Sequence, residues 1–114
     1  MLSKKSRVSN PRLIDKLNKE GDSYKTLHFV FRFLPSLSED SKFAAIVSKK
    51  NASKATKRNK LRRQITESIR QNMGHLKSHI VCLVILKKGN PEEIEYNVIE
   101  SEIKEFFNHL SADV

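Results

Sequence analysis

KATKRNKLRRQITESIRQN, residues 54–72, and HIVCLVILK, residues 79–87, carry the reading of this chain. In the first stretch Leu61, Ile65 and Ile69, continued by Met73, recur every four residues and mark the buried stripe of an amphipathic helix over about 54–72. Ser53 stands where an N-cap belongs. Asn59, Arg63, Thr66 and Arg70 follow i, i+4, i+7, i+11 on a different side, with Arg62 beside them. The helix therefore has an oily face for a core and a basic face for something else. The second stretch is almost continuously apolar, which suits a central strand covered on both faces.

Outward from this pair, Val98, Ile99, Ile103, Phe106, Phe107 and Leu110 predict a C-terminal amphipathic helix. Towards the N-terminus, residues 24–34 alternate. Leu27, Phe29, Phe31 and Phe33 share one face, and His28, Val30, Arg32 and Leu34 the other. Residues 42–48 read as a further strand, expected as a hairpin partner of the first, across a polar turn from Pro35 to Ser41. Asn10-Pro11 starts a short helix over about 10–20, with Leu13, Ile14 and Leu17 at helical spacing and Gly21 as its stop. The order is α-β-β-α-β-α, or α-β-β-β-α-β-α if residues 24–34 break in two. Either is an α+β sandwich of helices on a small sheet. With no repeat and no linker, residues 1–114 form a single domain, in which 1–9 are expected to be a flexible basic arm.

The chain has 114 residues, too few for a two-domain dinucleotide enzyme or a large barrel. Its formal net charge is +9, and residues 48–70 hold nine Lys or Arg against Glu67 alone, a local +8. A structured basic segment points to a polyanion more strongly than a high pI does. The single Cys excludes a disulfide framework or a multi-Cys zinc site and favours a reducing, cytoplasmic setting. The longest apolar run, Ile80 to Leu86, is too short to span a membrane, and the basic N-terminus lacks a signal peptide's apolar region.

Catalytic constellations are thin. His28, His75, His79 and His109 show no metal-ligand spacing. His28 reads as a surface or groove residue, and Cys82 as a small buried hydrophobe. Glu92, Glu93 and Glu95 read as a solvated acidic turn without the spacing of a two-metal nuclease. Three glycines cannot form a phosphate-cradling loop. The informative group is Ser48-Lys49-Lys50, Lys54-Ala55, Arg58-Asn59-Lys60 and Arg62-Arg63. Cations fixed along one helix match a line of phosphates, with arginine adding a bidentate fork, and Asn59 adds a hydrogen-bonding group without charge.

This run resembles the signature of the bacterial ribonuclease P protein family, S-K-K followed by the RNR motif on a helix. The opening MLSKKSR, the segment Leu13 to Gly21, Phe29 to Pro35 and Ile80 to Lys87 resemble the family's other elements, in order. The resemblance implies a two-layer α-β-β-β-α-β-α sandwich with a left-handed β-α-β crossover, similar to ribosomal-protein domain folds. It implies a protein subunit that binds the catalytic RNA of ribonuclease P and the 5′ leader of precursor tRNA. The subunit assists Mg2+-dependent leader removal, with the ions bound mainly by the RNA. No protein residue is then catalytic and none holds a metal. The RNA-binding set is Lys49, Lys50, Lys54, Lys57, Arg58, Asn59, Lys60, Arg62, Arg63 and Arg70, and the leader groove is Ile14, Asn18, Val30 and Arg32. Lys60 stands where the motif's second arginine is usual, Asn51-Ala52-Ser53 replaces a glycine connection, Thr66 replaces a frequent later arginine, and Ile14 and Asn18 fall where aromatics are common. Arg32, on the open strand face, would then compensate through its charge.

The alternative from another class is a general structured-RNA-binding or ribosome-associated module without a role in cleavage. It explains the charge, but not why both motifs occur among the right elements. A free-standing nuclease lacks its acidic cluster, and the apolar strand after the basic helix argues against a helix-turn-helix DNA binder. Neither DNA nor a membrane is an expected partner.

Overall fold

The computed structural model describes residues 8, 10–36, 41–48, 54–76, 78–87 and 94–112. Along the chain these form α1 (Pro11–Glu20), β1 (Asp22–Lys25), β2 (Phe29–Pro35), β3 (Lys42–Ile46), α2 (Ala55–Asn72) with a 3₁₀ turn at Met73–His75, β4 (Ile80–Leu86) and α3 (Tyr96–Ala112). The order is α-β-β-β-α-β-α, an α+β fold. Among the described residues no helix is long and apolar enough to cross a membrane.

The four strands lie in the order β1-β2-β4-β3. β1 and β2 are antiparallel, with Tyr24 opposite Phe31. β2 and β4 are antiparallel, with Phe31 opposite Val84. β3 runs parallel to β4, with Phe43 opposite Cys82. The hairpin expected between β2 and β3 is therefore absent, because β4 lies between them. A strand as apolar as β4 needs a neighbour on each edge and a cover on each face. The parallel β3–β4 pair is joined by a crossover through α2, as parallel pairing requires.

Alternation along β4 divides the core. Ile80, Cys82, Val84 and Leu86 point into a large cluster with Phe29, Phe31 and Phe43 from the sheet, Leu61, Ile65 and Ile69 from α2, and Ile99, Ile103, Phe106 and Phe107 from α3. The Phe31 and Phe106 rings stack at 4.2 Å, and Phe33 meets Phe106 edge-on at 5.2 Å. On the other face Val81 and Leu83 pack with Leu17 of α1 and with Val8, while Leu13, Ile14, Leu34, Ala44, Ile46 and Ile85 are only partly buried. The sandwich of sheet and α2–α3 thus carries α1 on its opposite face.

Several local expectations change. Residues 24–34 break at a tight turn, where the Thr26 N–H donates to the Phe29 carbonyl at 2.9 Å and the Phe29 N–H to Thr26 Oγ1 at 3.3 Å. Leu27, expected inward with the phenylalanines, sits at this turn and is 78% exposed. Val8, expected in a free arm, is buried and donates its N–H to the Phe43 carbonyl at 3.0 Å, while residues 1–7 and 9 lie outside the described residues. Asn10 caps α1 as expected, accepting from the Arg12 N–H at 2.9 Å. Gly21 ends that helix in an extended conformation, φ −68°, rather than a left-handed one. Glycine is needed there for space, since a Cβ would run into the Leu17 carbonyl oxygen.

Candidate nucleic-acid interface

α2 is anchored in the core by its apolar stripe. Leu61, Ile65 and Ile69 are buried, and Met73 packs against the same core. Its N-cap is Lys54, which makes no side-chain cap bond; Ser53, expected there, lies outside the described residues. The first turn contains no acidic residue. Helix N-termini carry partial positive charge and unpaired N–H groups, so Asp and Glu stabilise them and cations do not. Here Lys54, Lys57, Arg58, Lys60, Arg62 and Arg63 crowd that end. The arrangement opposes helix stability and concentrates positive potential at one place, which suits an anionic partner.

The sequence-predicted residues fall into three groups. Lys54, Asn59, Lys60, Arg62 and Arg63 are exposed, and Lys57 and Arg58 are half-buried. Arg62 donates through Nη1 to Asn59 Oδ1 at 3.0 Å, so Asn59 orients a guanidinium. Arg70, in the last turn of α2, is exposed but donates from Nε and Nη2 to Glu67 at 3.1 and 2.5 Å. Hydrogen bonding and the charge of Arg70 hold the Glu67 carboxyl below its usual range against a smaller effect of desolvation. Within α2, the net positive charge is thus concentrated in the N-terminal half. Lys49 and Lys50 lie outside the described residues.

The other four line the half-covered sheet face. Ile14 and Val30 are half-buried and Asn18 is exposed, beside the partly buried Ile46 and Ile85. Arg32 differs from expectation. Its Nε and Nη2 donate to the Leu17 and Asn18 carbonyls at 3.3 and 2.5 Å, and Nη1 to Ser23 Oγ at 2.8 Å. Those carbonyls belong to the last turns of α1, so the guanidinium caps the helix's negative end and ties it to β1 and β2.

Two features escaped the sequence reading. His28, in the β1–β2 turn, is tied to Glu102 of α3, with Nδ1 at 2.5 Å from Oε2 and its backbone N–H donating to Oε1 at 2.7 Å. No spacing rule links residues so far apart in the chain. The second is Tyr96, at the start of α3 beside α2. Cys82 is buried, and desolvation pushes its thiol far above the usual range, so it is no nucleophile. Among the described residues no three His, Cys, Asp or Glu converge on a possible metal position.

A cationic helix start on a β-α-β crossover, in a sheet with one sealed and one partly covered face, defines a class of small basic α+β proteins. The family model for Ribonuclease P matches residues 2–111. The ribonuclease P protein component of Coprothermobacter proteolyticus is 30% identical over 102 residues, covering 90% of this chain and 82% of that protein. That of Thermotoga maritima is 36% identical over 77 residues, covering 68% of this chain and 65% of that protein. A solved structure of the ribonuclease P protein from Thermotoga maritima superposes with a TM-score of 0.81 at 26% identity, covering 91% of this chain and 96% of that one. The Staphylococcus aureus ribonuclease P protein shares the fold, with a TM-score of 0.75 at 22% identity over 87% of this chain and 89% of that one. The chain belongs to the ribonuclease P protein family.

Proposed function

We propose that this chain binds the catalytic RNA of ribonuclease P in the cytoplasm and assists removal of the 5′ leader from precursor tRNA. The observation that carries the reading is the cation-rich start of α2, with no acidic residue in its first turn and no side-chain cap bond from Lys54, anchored by Leu61, Ile65 and Ile69. Lys49, Lys50, Lys54, Lys57, Arg58, Lys60, Arg62 and Arg63 neutralise RNA phosphates, Asn59 fixes Arg62, and Arg70 contributes after exchanging Glu67 for a phosphate. The precursor's leader lies over Ile14, Asn18 and Val30, in a groove whose wall Arg32 stiffens. The Mg2+ ions are held mainly by the RNA, and the described residues offer no cluster to hold one, so no step is assigned to a protein-bound ion. The protein's part is to lower repulsion between two large polyanions, so that less Mg2+ is needed.

The test adds purified protein to a bacterial ribonuclease P RNA and precursor tRNA at low Mg2+. Leader removal is stimulated if the reading holds. It fails if the protein gives no stimulation while the RNA alone works at high Mg2+, and cleavage by protein without RNA would make the chain a nuclease.

A further inference from the structure

The chain has two tyrosines, and the structure treats them differently. Tyr24 is part of the core edge: its ring stacks on His109 at 4.3 Å and lies 5.7 Å from Phe106, and its hydroxyl donates to Glu105 at 2.8 Å. Tyr96 has no ring partner among the described residues and stands outside both hydrophobic clusters. Its hydroxyl donates to Gln71 Oε1 at 3.1 Å, which fixes the ring's outer edge against α2. The ring is half-buried at one end of an open groove of about 750 Å3 between α2 and the start of α3. Asn59, Lys60, Arg63 and Gln64 form the α2 wall of that groove. Glu67 also borders it, but its carboxylate is engaged by Arg70 and Gln71.

An aromatic ring with no ring partner among the described residues, held by its hydroxyl, with Lys60 and Arg63 along the same groove and with Glu67 and Glu100 also near its hydroxyl, is an arrangement that accepts an unstacked nucleobase. We propose that the α2–α3 groove binds one unpaired nucleotide of the partner RNA, its base stacked on Tyr96. Arg63, with Lys60 one turn further along α2, takes the adjoining phosphates, and the amide of Gln64 reaches the base or sugar edge. A base in a duplex presents no free face to the ring, so the site takes an unpaired nucleotide. The site rests on the RNA-binding reading above and adds a subsite on α3, a helix that reading leaves unused.

The experiment measures binding of the full chain to ribonuclease P RNA across a salt series, for wild type, Tyr96→Phe and Tyr96→Leu. Tyr96→Phe keeps the ring and stays within about twofold of wild type, whereas Tyr96→Leu weakens binding about tenfold. Stacking releases no counterions, so the salt slope is the same for all three, while Lys60→Ala and Arg63→Ala each flatten it by about one. Wild-type binding with Tyr96→Leu within twofold overturns the subsite and leaves the RNA reading intact; no wild-type binding overturns both. Fluorine NMR of the 3-fluorotyrosine protein, with Tyr24→Phe used for assignment, tests the stack without altering Tyr96. On saturation with the RNA the Tyr96 resonance moves upfield relative to that of Tyr24, and an unmoved resonance contradicts the proposal.

Discussion

The two faces of the sheet are built to different standards. Towards α2 and α3 every β4 side chain, from Ile80 to Leu86 at alternate positions, is sealed by helix, and aromatic rings from β2 and α3 interlock. Towards α1 the cover is partial: Leu83 is closed off, but Ile85, Val30 and Ile46 stay partly open. One helix of 10 residues cannot cover what two helices of 18 and 17 cover opposite. The sealed face supplies the stability that lets the other keep an apolar groove and lets α2 carry an unfavourable charge cluster at its start.

The sharpest way to break this contrast is truncation on both faces. Phe106→Ala, stacked on Phe31, is expected to cost roughly 3–5 kcal/mol in urea unfolding. Ile85→Ala, on the open face, should cost about half of that or less, because its side chain is already partly in water. Equal losses would mean that the open face is as structural as the closed one.

Next in size is the tie across the open face. Arg32→Met keeps the apolar stem and removes three hydrogen bonds, two of them to the end of α1. We expect a loss of roughly 1–3 kcal/mol, with faster hydrogen exchange in α1. Unchanged stability together with weakened leader binding would make Arg32 a contact residue rather than a tie.

A smaller effect concerns the junction of the β1–β2 turn with α3. Burial pushes the Glu102 carboxyl up, but hydrogen bonds from the Thr26 side chain and from the His28 backbone and ring, with the His28 charge, outweigh it and hold the carboxyl below its usual range. A carboxylate depressed in the folded state stabilises above its unfolded pKa, here 4.5, and that contribution is lost as pH falls through the lower folded value. The melting temperature of wild type should therefore drop more steeply below about pH 4.5 than that of Glu102→Gln. Parallel acid limbs would show that the pair does not couple turn to helix.

Legibility followed the range of the interactions. The stripe Leu61-Ile65-Ile69, the apolar β4 and the Ile99-Ile103-Phe106 face of α3 are periodic within one element, and local pattern alone placed them. The partner of β3 was not legible, since hairpin and crossover use the same local sequence and only β4's need for two neighbours decides between them. Leu27 was misplaced because nothing in its alternation shows a turn of two residues. The exposed cations of α2 were readable from spacing. The bonds that qualify them, Arg70 to Glu67 and Arg62 to Asn59, also lie at i, i+3 spacing and could have been anticipated. The ties of Arg32 to α1 and His28 to α3 cross between elements and needed the fold.

The central claim is that the start of α2 is a phosphate-binding surface, and its most direct measurement is the salt dependence of binding to ribonuclease P RNA. If the helix meets about six phosphates, wild-type affinity falls by about three decades between about 50 and 200 mM salt. Arg58→Ala/Arg62→Ala should bind more weakly, with a log–log slope shallower by about two. A double variant that binds as tightly as wild type, with the same slope, would contradict the account.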